Sequence, residues 1–441
     1  MAFPRKLLLC ALLASWITGL AGWLMVVPED PSLDHDEIYW IGSTYYYDLA
    51  FVQRDWKNEA WSFLPARENP PVAKYILGLG LAAEGHHITT IDSLSYFYVF
   101  WLGWEKDPSA RGTGPDVSKR TRVIDAAGPD FRARVAAQMH APLTRTQVQA
   151  ARRTSVVCVA LASLLLFGLC AFASNRLAGL IASLLLLFHP IVVSAASRAM
   201  ADGPALILAI AAATATYWWY RQLARPGTAP LGRNTSGTLL AGVLIALACG
   251  AKMNGLILVI LAGILVAGLA GRSWWKNDRR KAWKIALHGV GLLAVALIVF
   301  CLINPAIMRD FPGGLIAPIS EQSRDMVLQA DLVNARPAGW AAKFAAVVEM
   351  AFFGWMFFAV VLALGVWFAW RGTKTASVRF ALCWLIIALV CVSVWLPFAW
   401  PRYVLPLLAP SAWIVGVALT EGVRAVFEAL GPAKKIATNR Q

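Results

Sequence analysis

Ten apolar stretches recur along the chain of 441 residues, and no other feature restricts its possible folds as strongly. They cover approximately residues 7–27, 155–173, 178–196, 203–219, 238–250, 254–270, 285–304, 344–370, 380–397 and 403–420. Most hold 17 or more residues, enough for a helix to cross a hydrocarbon core roughly 30 Å thick. Charged residues make up 15% of the chain, compared with about 25% in soluble proteins. The sequence therefore predicts an all-α, polytopic membrane protein with about ten transmembrane helices.

The distribution of lysine and arginine predicts the orientation, because cytoplasmic loops of membrane proteins are enriched in these residues. Arg5 and Lys6 precede the first apolar run, which is longer than the apolar core of about 7–15 residues in a signal peptide. An uncleaved first helix that enters from the cytoplasm is therefore favoured. The predicted order is a first transmembrane helix at 1–27, a large non-cytoplasmic loop at 28–153, transmembrane helices 2–7 at 154–304, a second non-cytoplasmic loop at 305–343, transmembrane helices 8–10 at 344–420 and a cytoplasmic basic tail at 421–441.

The segment 238–270 tests this topology. As one continuous helix it would place the basic stretch 272–284 outside, whereas two short helices that turn near Lys252 keep that stretch inside. With two helices, the cytoplasmic segments hold 19 Lys and Arg and 3 Asp and Glu, a net charge of +16. The rest of the chain holds 21 basic and 22 acidic residues, a net charge of −1. The overall charge of +15 therefore follows from topology, and it predicts membrane lipids rather than nucleic acid as partners.

Five groups of polar residues lie, in this topology, at the non-cytoplasmic ends of the helices. They are Asp34-His35-Asp36-Glu37, Arg67-Glu68-Asn69-Pro70-Pro71-Val72-Ala73-Lys74, Arg198-Ala199-Met200-Ala201-Asp202, Lys252-Met253-Asn254-Gly255 and Trp400-Pro401-Arg402-Tyr403. Each group alone is also explained by solvated loop residues, helix-end ion pairs, a snorkelling lysine or interfacial anchors. Together they suit transfer chemistry on a phosphorylated lipid, because a carboxylate can take the proton of a hydroxyl and cations can hold a phosphate.

In these groups the chain resembles the GT-C-type, polyprenyl-phosphate-dependent glycosyltransferases, which include the protein O-mannosyltransferases and the aminoarabinose transferases of lipid A. Asp36-Glu37 matches the Asp-Glu pair in the first outer loop of that family, and the segment 70–74 matches its Pro-Pro element ending in lysine. The further matches are Glu68, as in the aminoarabinose branch, Arg198 with Asp202, the Gly-rich helix that closes in Lys252 and Gly255, and Arg402-Tyr403 before Pro406.

The resemblance implies a GT-C helical bundle with juxtamembrane helices in the first outer loop. It further implies a protein of the plasma (inner) membrane, and the distribution of lysine and arginine predicts a multi-pass topology with both termini in the cytoplasm. The implied reaction moves one sugar from a polyprenyl-phosphate donor to a hydroxyl of a glycolipid, glycan or protein acceptor. Transfer would take place on the non-cytoplasmic face, with inversion.

The resemblance also implies roles for the residues that carry it. Asp36 is the expected base, and Glu37 or Glu68 would orient the acceptor or the base. The residues expected to hold the donor phosphate are Lys74, Lys252, Arg402 and Tyr403, and those expected to support the site are Asp34, Arg198 and Asp202. No obligatory metal is expected, although a divalent ion at Asp34, His35 and Asp36 is left open.

Two other classes of function are left open by the residues. A secondary transporter or lipid flippase places ionisable groups on broken helices near the bilayer midplane, and His288 and Glu349 are the candidates within the apolar runs. The large loop at 28–153 argues against a transporter. A non-catalytic scaffold would leave the five polar groups without a role.

Overall fold

The computed structural model of the protein describes residues 16, 35–62, 64–89, 143–225, 231–316, 319–320, 323, 339–370, 376–396 and 399–430. All regular secondary structure in these ranges is helical, which confirms the all-α class. The α-helices are α1 (His35–Gly42), α2 (Leu64–Glu68), α3 (Val72–Ala83), α4 (Arg145–Ala173), α5 (Arg176–Leu187), α6 (Pro190–Ala196), α7 (Asp202–Ala224), α8 (Leu231–Ala251), α9 (Leu256–Trp275), α10 (Arg279–Leu302), α11 (Pro305–Arg309), α12 (Trp340–Phe352), α13 (Trp355–Trp370), α14 (Ala376–Trp395) and α15 (Leu405–Leu430). Shorter helical segments are Tyr45–Tyr47, a π-helix at Asp48–Val52, and 3₁₀ turns at Glu59–Ser62, Met253–Gly255 and Pro401–Val404.

The apolar helices make the chain a multi-pass membrane protein. Those long and apolar enough to span a membrane alone are Arg145–Ala173, Met253–Trp275, Arg279–Leu302, Ala376–Trp395 and Pro401–Arg424. These are five spans among the described residues, or seven if the bent pairs α5–α6 and α12–α13 each form one. α7 and α8 cover two further predicted runs without meeting the same criterion. The predicted helix at 1–27 lies outside the described residues except for Trp16, so the count of about ten stays a prediction.

Two predicted runs are bent, which hydropathy alone does not indicate. α5 and α6 meet at 64°, where Pro190 begins α6 and His189 Nδ1 accepts a hydrogen bond from the backbone N–H of Ile191. The second bend, of 85°, follows α12. Phe353 and Gly354 have φ values of 54° and 117° there, and a right-handed helix cannot continue through positive φ.

The bundle packs closely through small and short polar residues. At the contact between α5 and α15, a Cβ added to Gly416 would lie 2.5 Å from the carbonyl oxygen of Ala178, so only glycine allows this approach. Ser163 in α4 and Ser183 in α5 join by a buried hydrogen bond of 2.8 Å between their hydroxyls. Such contacts hold helices together where lipid removes the hydrophobic drive for association.

Residues 35–62 and 64–89, here called the N-terminal module, pack over one end of the bundle. Ile38 and Leu81 of the module share a hydrophobic cluster with Val148 of α4. Tyr46 and Trp61 belong to a second cluster, which contains Met200 and Ala251 at the ends of two bundle helices. The module therefore lies beside the beginning of α7 and the end of α8.

Candidate active site

The first turn of α1 meets the beginning of the last span through an ion pair between Asp36 and Arg402, which are 366 positions apart. Arg402 Nη1 donates to Oδ2 of Asp36 and lies 3.5 Å from the sulfur of Met200. Both side chains are partly open, with 27% of Asp36 and 24% of Arg402 exposed. Nε of Arg402 is buried and makes no hydrogen bond within the described part of the chain.

A second ion pair lies next to the first, between Asp202 at the beginning of α7 and Lys252 just after α8. Lys252 Nζ donates to Oδ1 of Asp202 at 2.6 Å, and the carboxylate is almost completely buried. The Tyr403 ring connects the two pairs, because its centre lies 5.8 Å from Lys252 Nζ and 5.6 Å from Cζ of Arg402. The Trp400 ring centre lies 4.3 Å from Cζ of Arg402 and 6.2 Å from the Tyr403 ring centre, with the two rings nearly parallel. Cation–π contacts of this kind hold Arg402 in place.

The break between α8 and α9 determines where Lys252 lies. Lys252 is extended, with φ −158° and ψ 140°, and a 3₁₀ turn follows it. A Cβ added to Gly255 in that turn would lie 2.4 Å from the backbone nitrogen of Cys249. The segment 238–270 is therefore two helices in the structure, as predicted, and the ammonium group lies at their junction.

Two neighbouring cavities adjoin these ion pairs. The smaller, of about 40 Å³, is lined by Asp202, Lys252 and Arg402 together with apolar residues of α7, α9, α14 and α15. The larger, of about 400 Å³, is an apolar groove between α9 and α14 whose walls include Ile260, Val390 and Trp395. Asn254 and Ile257 line both cavities. A charged pocket thus lies next to an apolar groove.

Glu37, the neighbour of Asp36, is held in a separate buried ion pair that the sequence does not predict. Arg152 of α4 donates to both of its carboxylate oxygens, at 2.8 and 2.6 Å, and the backbone N–H of Ala199 donates to Oε1 at 2.8 Å. Glu37 is 1% exposed and Arg152 4%. In the sequence, Arg152 stands out only as a charged residue close to an apolar run. Such a residue requires a partner when it is buried.

Lys74 is fully buried within the N-terminal module. Its ammonium group donates to the backbone carbonyls of Pro65 and Asn69, the second at 2.8 Å. The Tyr46 ring centre lies 5.2 Å and the Tyr39 ring centre 5.8 Å from Nζ. Because its ammonium group is buried and already bonded to two carbonyls, Lys74 is less well placed to bind the donor phosphate than Lys252 or Arg402.

The other predicted residues are not brought into this cluster by described contacts. Arg198 is exposed, between α6 and α7. Asp34 lies outside the described residues, as do the side chains of His35 and Glu68. Among the residues that the structure describes, no three His, Cys, Asp or Glu side chains are grouped to hold a metal ion. Independence from metal stays a prediction.

Fold and site together define a class: a multi-pass helical membrane protein with paired carboxylates and cations at one end of the bundle, beside an apolar groove. Within the sequence, residues 138–308 match the family model of the dolichyl-phosphate-mannose-protein mannosyltransferases. A comparison with curated protein sequences gives no match.

The comparison with solved structures covers nearly the whole chain, whereas the family model matches residues 138–308. ArnT from Cupriavidus metallidurans bound to undecaprenyl phosphate has a TM-score of 0.51 at 16% identity, over 97% of this chain and 64% of that chain. The apo state of ArnT gives 0.51 and 16%, over 96% and 62%. The archaeal oligosaccharyltransferase AglB from Archaeoglobus fulgidus, in complex with an inhibitory peptide and a dolichol-phosphate, gives 0.46 and 13%, over 95% and 52%. The ArnT matches confirm the GT-C helical fold, and with the family match they confirm the predicted resemblance.

Proposed function

We propose that this chain is a membrane glycosyltransferase that moves one sugar from a polyprenyl-phosphate donor to an acceptor hydroxyl. Transfer takes place with inversion, on the non-cytoplasmic face of the plasma (inner) membrane. The observation that carries the proposal is the meeting of two carboxylate–cation pairs at a pocket that lies next to an apolar groove. The undecaprenyl phosphate bound to ArnT is a ligand of the same chemical class.

The donor would bind with its phosphate at Arg402 and Lys252 and its apolar chain in the groove between α9 and α14. The guanidinium of Arg402 suits two phosphate oxygens, because it presents its donors as a rigid fork. Lys252 adds a point charge from the junction of α8 and α9. Ile260 and Val390 in the groove are 44% and 51% exposed, so they are available to an isoprenoid chain.

In the reaction, Asp36 accepts the proton of the acceptor hydroxyl, whose oxygen forms the new bond to the anomeric carbon. The bond between that carbon and the phosphate oxygen breaks, and the electron pair leaves with the polyprenyl phosphate. In the structure Arg402 contacts Asp36. If Arg402 turns to the phosphate when the donor binds, its contact with Asp36 is lost, so donor binding and the surroundings of the base would be linked. Glu37, fixed by Arg152, would hold α1 so that Asp36 faces the acceptor.

Asp36→Asn tests the assignment of the base. The amide keeps the shape of the carboxylate but cannot take the proton, so transfer by the purified variant should fall by about 10²–10⁴-fold. Glu59→Gln is the matched control, because it removes an exposed carboxylate from the same module and should leave the rate unchanged. Near-parental turnover by Asp36→Asn, at unchanged thermal stability, would show that Asp36 is not the base.

The same assay distinguishes the transporter or flippase that the sequence leaves open. An enzyme turns over donor lipid and acceptor in detergent micelles, whereas transport requires two compartments. The transporter hypothesis named His288 as a candidate ionisable group. In the structure its Nδ1 lies 3.0 Å from the Thr238 hydroxyl, which also accepts a hydrogen bond from Nε1 of Trp219, so His288 has a hydrogen-bond partner within the bundle. Product formation in micelles would exclude transport as the sole activity.

A further inference from the structure

A short turn of the N-terminal module presents large apolar side chains to the outside. It comprises residues 51–57, here called the aromatic loop, and begins in the last two residues of the π-helix Asp48–Val52. Phe51 is 48% exposed, Val52 56% and Trp56 41%. The rings of Phe51 and Trp56 lie 6.1 Å apart and nearly perpendicular. Arg54 and Lys57 are exposed beside them, so the loop combines aromatic and basic residues.

The aromatic loop is held in one conformation by its own hydrogen bonds. The Asp55 carboxylate accepts from the Asn58 amide at 2.9 Å and from the backbone N–H of Lys57 at 3.3 Å. Trp61 Nε1 donates to the Asp55 carbonyl oxygen at 3.0 Å. Arg54 has a φ of 56°, a backbone conformation unfavourable for arginine unless surrounding contacts fix it. Apolar side chains are therefore exposed by a rigid scaffold, and the charge of Asp55 is engaged within it.

Contacts to the bundle place the aromatic loop at the end of a peripheral span. Phe51 packs against Tyr75, with ring centres 5.0 Å apart. The hydroxyl of Tyr75 donates to the carbonyl oxygen of Ile303, which follows α10 directly. Arg309, in the next helix, donates to the carbonyl oxygen of Asn58. Only 28% of the apolar window of α10 is buried within the protein, so its outer face is available to lipid.

The lipid-facing surface of α10 continues beyond the end of that helix. Leu302, the last residue of α10, is 62% exposed. Met308 and Phe311, on either side of Arg309 and its contact with Asn58, are 53% and 61% exposed. An apolar band thus extends from the membrane span to the base of the aromatic loop.

We infer that the aromatic loop inserts into the interface of the lipid bilayer, with Phe51, Val52 and Trp56 at the boundary of headgroups and acyl chains. Trp56 suits this depth because its ring is amphipathic, and apolar side chains such as Phe51 and Val52 are buried at the same boundary. Arg54 and Lys57 would meet the phosphates of anionic lipids, to which exposed basic residues are attracted. The insertion would fix the N-terminal module, and with it Asp36, relative to the membrane surface. The inference requires only that α10 spans the membrane, so it is independent of the proposed reaction.

Depth measurement by electron paramagnetic resonance tests the insertion. The full chain would carry a nitroxide at Val52→Cys, with Glu59→Cys as the matched control on the same module. After reconstitution in vesicles of phosphatidylcholine and phosphatidylglycerol, relaxation is measured with oxygen, which partitions into lipid, and with a water-soluble nickel chelate. We expect the label at 52 to respond to oxygen and the label at 59 to nickel. The parent chain, treated with the same reagent, reports labelling of native cysteines.

The alternatives give different spectra. Equal nickel accessibility at 52 and 59 would place the aromatic loop in water and overturn the inference. Protection of 52 from nickel with strong dipolar broadening, lost when labelled chains are diluted with unlabelled ones, would show that a second copy covers the loop, and this too would overturn it. Protection without broadening supports insertion.

Discussion

Neighbouring carboxylates in α1 have very different surroundings. Glu37 is 1% exposed and bonded to Arg152 through both oxygens, whereas Asp36 is 27% exposed and contacts the partly open Arg402. Removing one partner of a buried pair such as Glu37–Arg152 costs about 3–5 kcal/mol, because the other charge is left uncompensated. Loss of activity on mutation of Glu37 would therefore report disrupted structure as well as chemistry. Mutation of Asp36, which is partly exposed, separates a loss of chemistry from a loss of structure.

Arg402→Lys is predicted to weaken donor binding although it keeps the charge. A lysine cannot reproduce the two-donor fork, and it has no planar group to stack on the Trp400 ring. A charge-assisted hydrogen bond is worth about 1.5–3 kcal/mol, so affinity for the polyprenyl-phosphate donor should fall by about one to two powers of ten. Titration of the purified variant with donor lipid measures this.

Arg153→Lys is the matched control for that titration. Arg153 pairs with Glu84 in an ion pair whose two side chains are 41% and 35% exposed. An exposed pair contributes about 0–1 kcal/mol, and donor affinity should stay at the parental value. Parental affinity in Arg402→Lys as well would identify Arg402 as an interfacial anchor rather than a phosphate ligand.

Among the structural elements, the break between α8 and α9 matters most for the candidate site, because it positions Lys252. Gly255→Ala should disturb it, since the new Cβ would lie 2.4 Å from the backbone nitrogen of Cys249 and 2.5 Å from the carbonyl carbon of Ala248. Relief requires backbone movement, so we expect a lower melting temperature and weaker donor binding. Gly263→Ala, in the same α9, meets no atom within 4 Å and is the control. Similar melting temperatures and donor affinities for both variants would argue against a tight turn at this position.

The sequence predicts some elements better than others for a physical reason. Apolar runs from 155–173 onwards each coincide with a helix or a bent pair, because lipid requires long apolar segments whatever their neighbours are. The bend at Phe353 depends on local backbone angles that hydropathy does not encode. The partners Asp36 and Arg402 lie 366 positions apart. A pairing over that distance is determined by tertiary packing, so sequence indicates the residue types of the site but not which of them meet.

At the scale of the whole molecule, the span Met253–Trp275 relates the site to the two membrane faces. Its first residue adjoins Lys252, and its last lies close to the turn at Asn277. A helix of 23 residues is about 34 Å long at roughly 1.5 Å per residue. The candidate site and Asn277 are therefore at opposite ends of a segment long enough to cross the bilayer. An experiment that shows on which side of the membrane Asn277 lies therefore also shows on which side the candidate site lies.

Cysteine labelling of intact cells is expected to place Asn277 in the cytoplasm. The turn at 276–281 carries Lys276, Arg279, Arg280 and Lys281 against one acidic residue, Asp278, and such basic segments are retained inside. Asn277→Cys and Lys374→Cys should therefore react with a membrane-impermeant thiol reagent only after lysis. Gly114→Cys and Ala330→Cys, in the two loops predicted outside, should react before it. The parent chain gives the background from native cysteines. Reaction of Asn277→Cys on intact cells would put Lys252 and Asp202 on the cytoplasmic side, and the proposed transfer on the non-cytoplasmic face would then have to be abandoned.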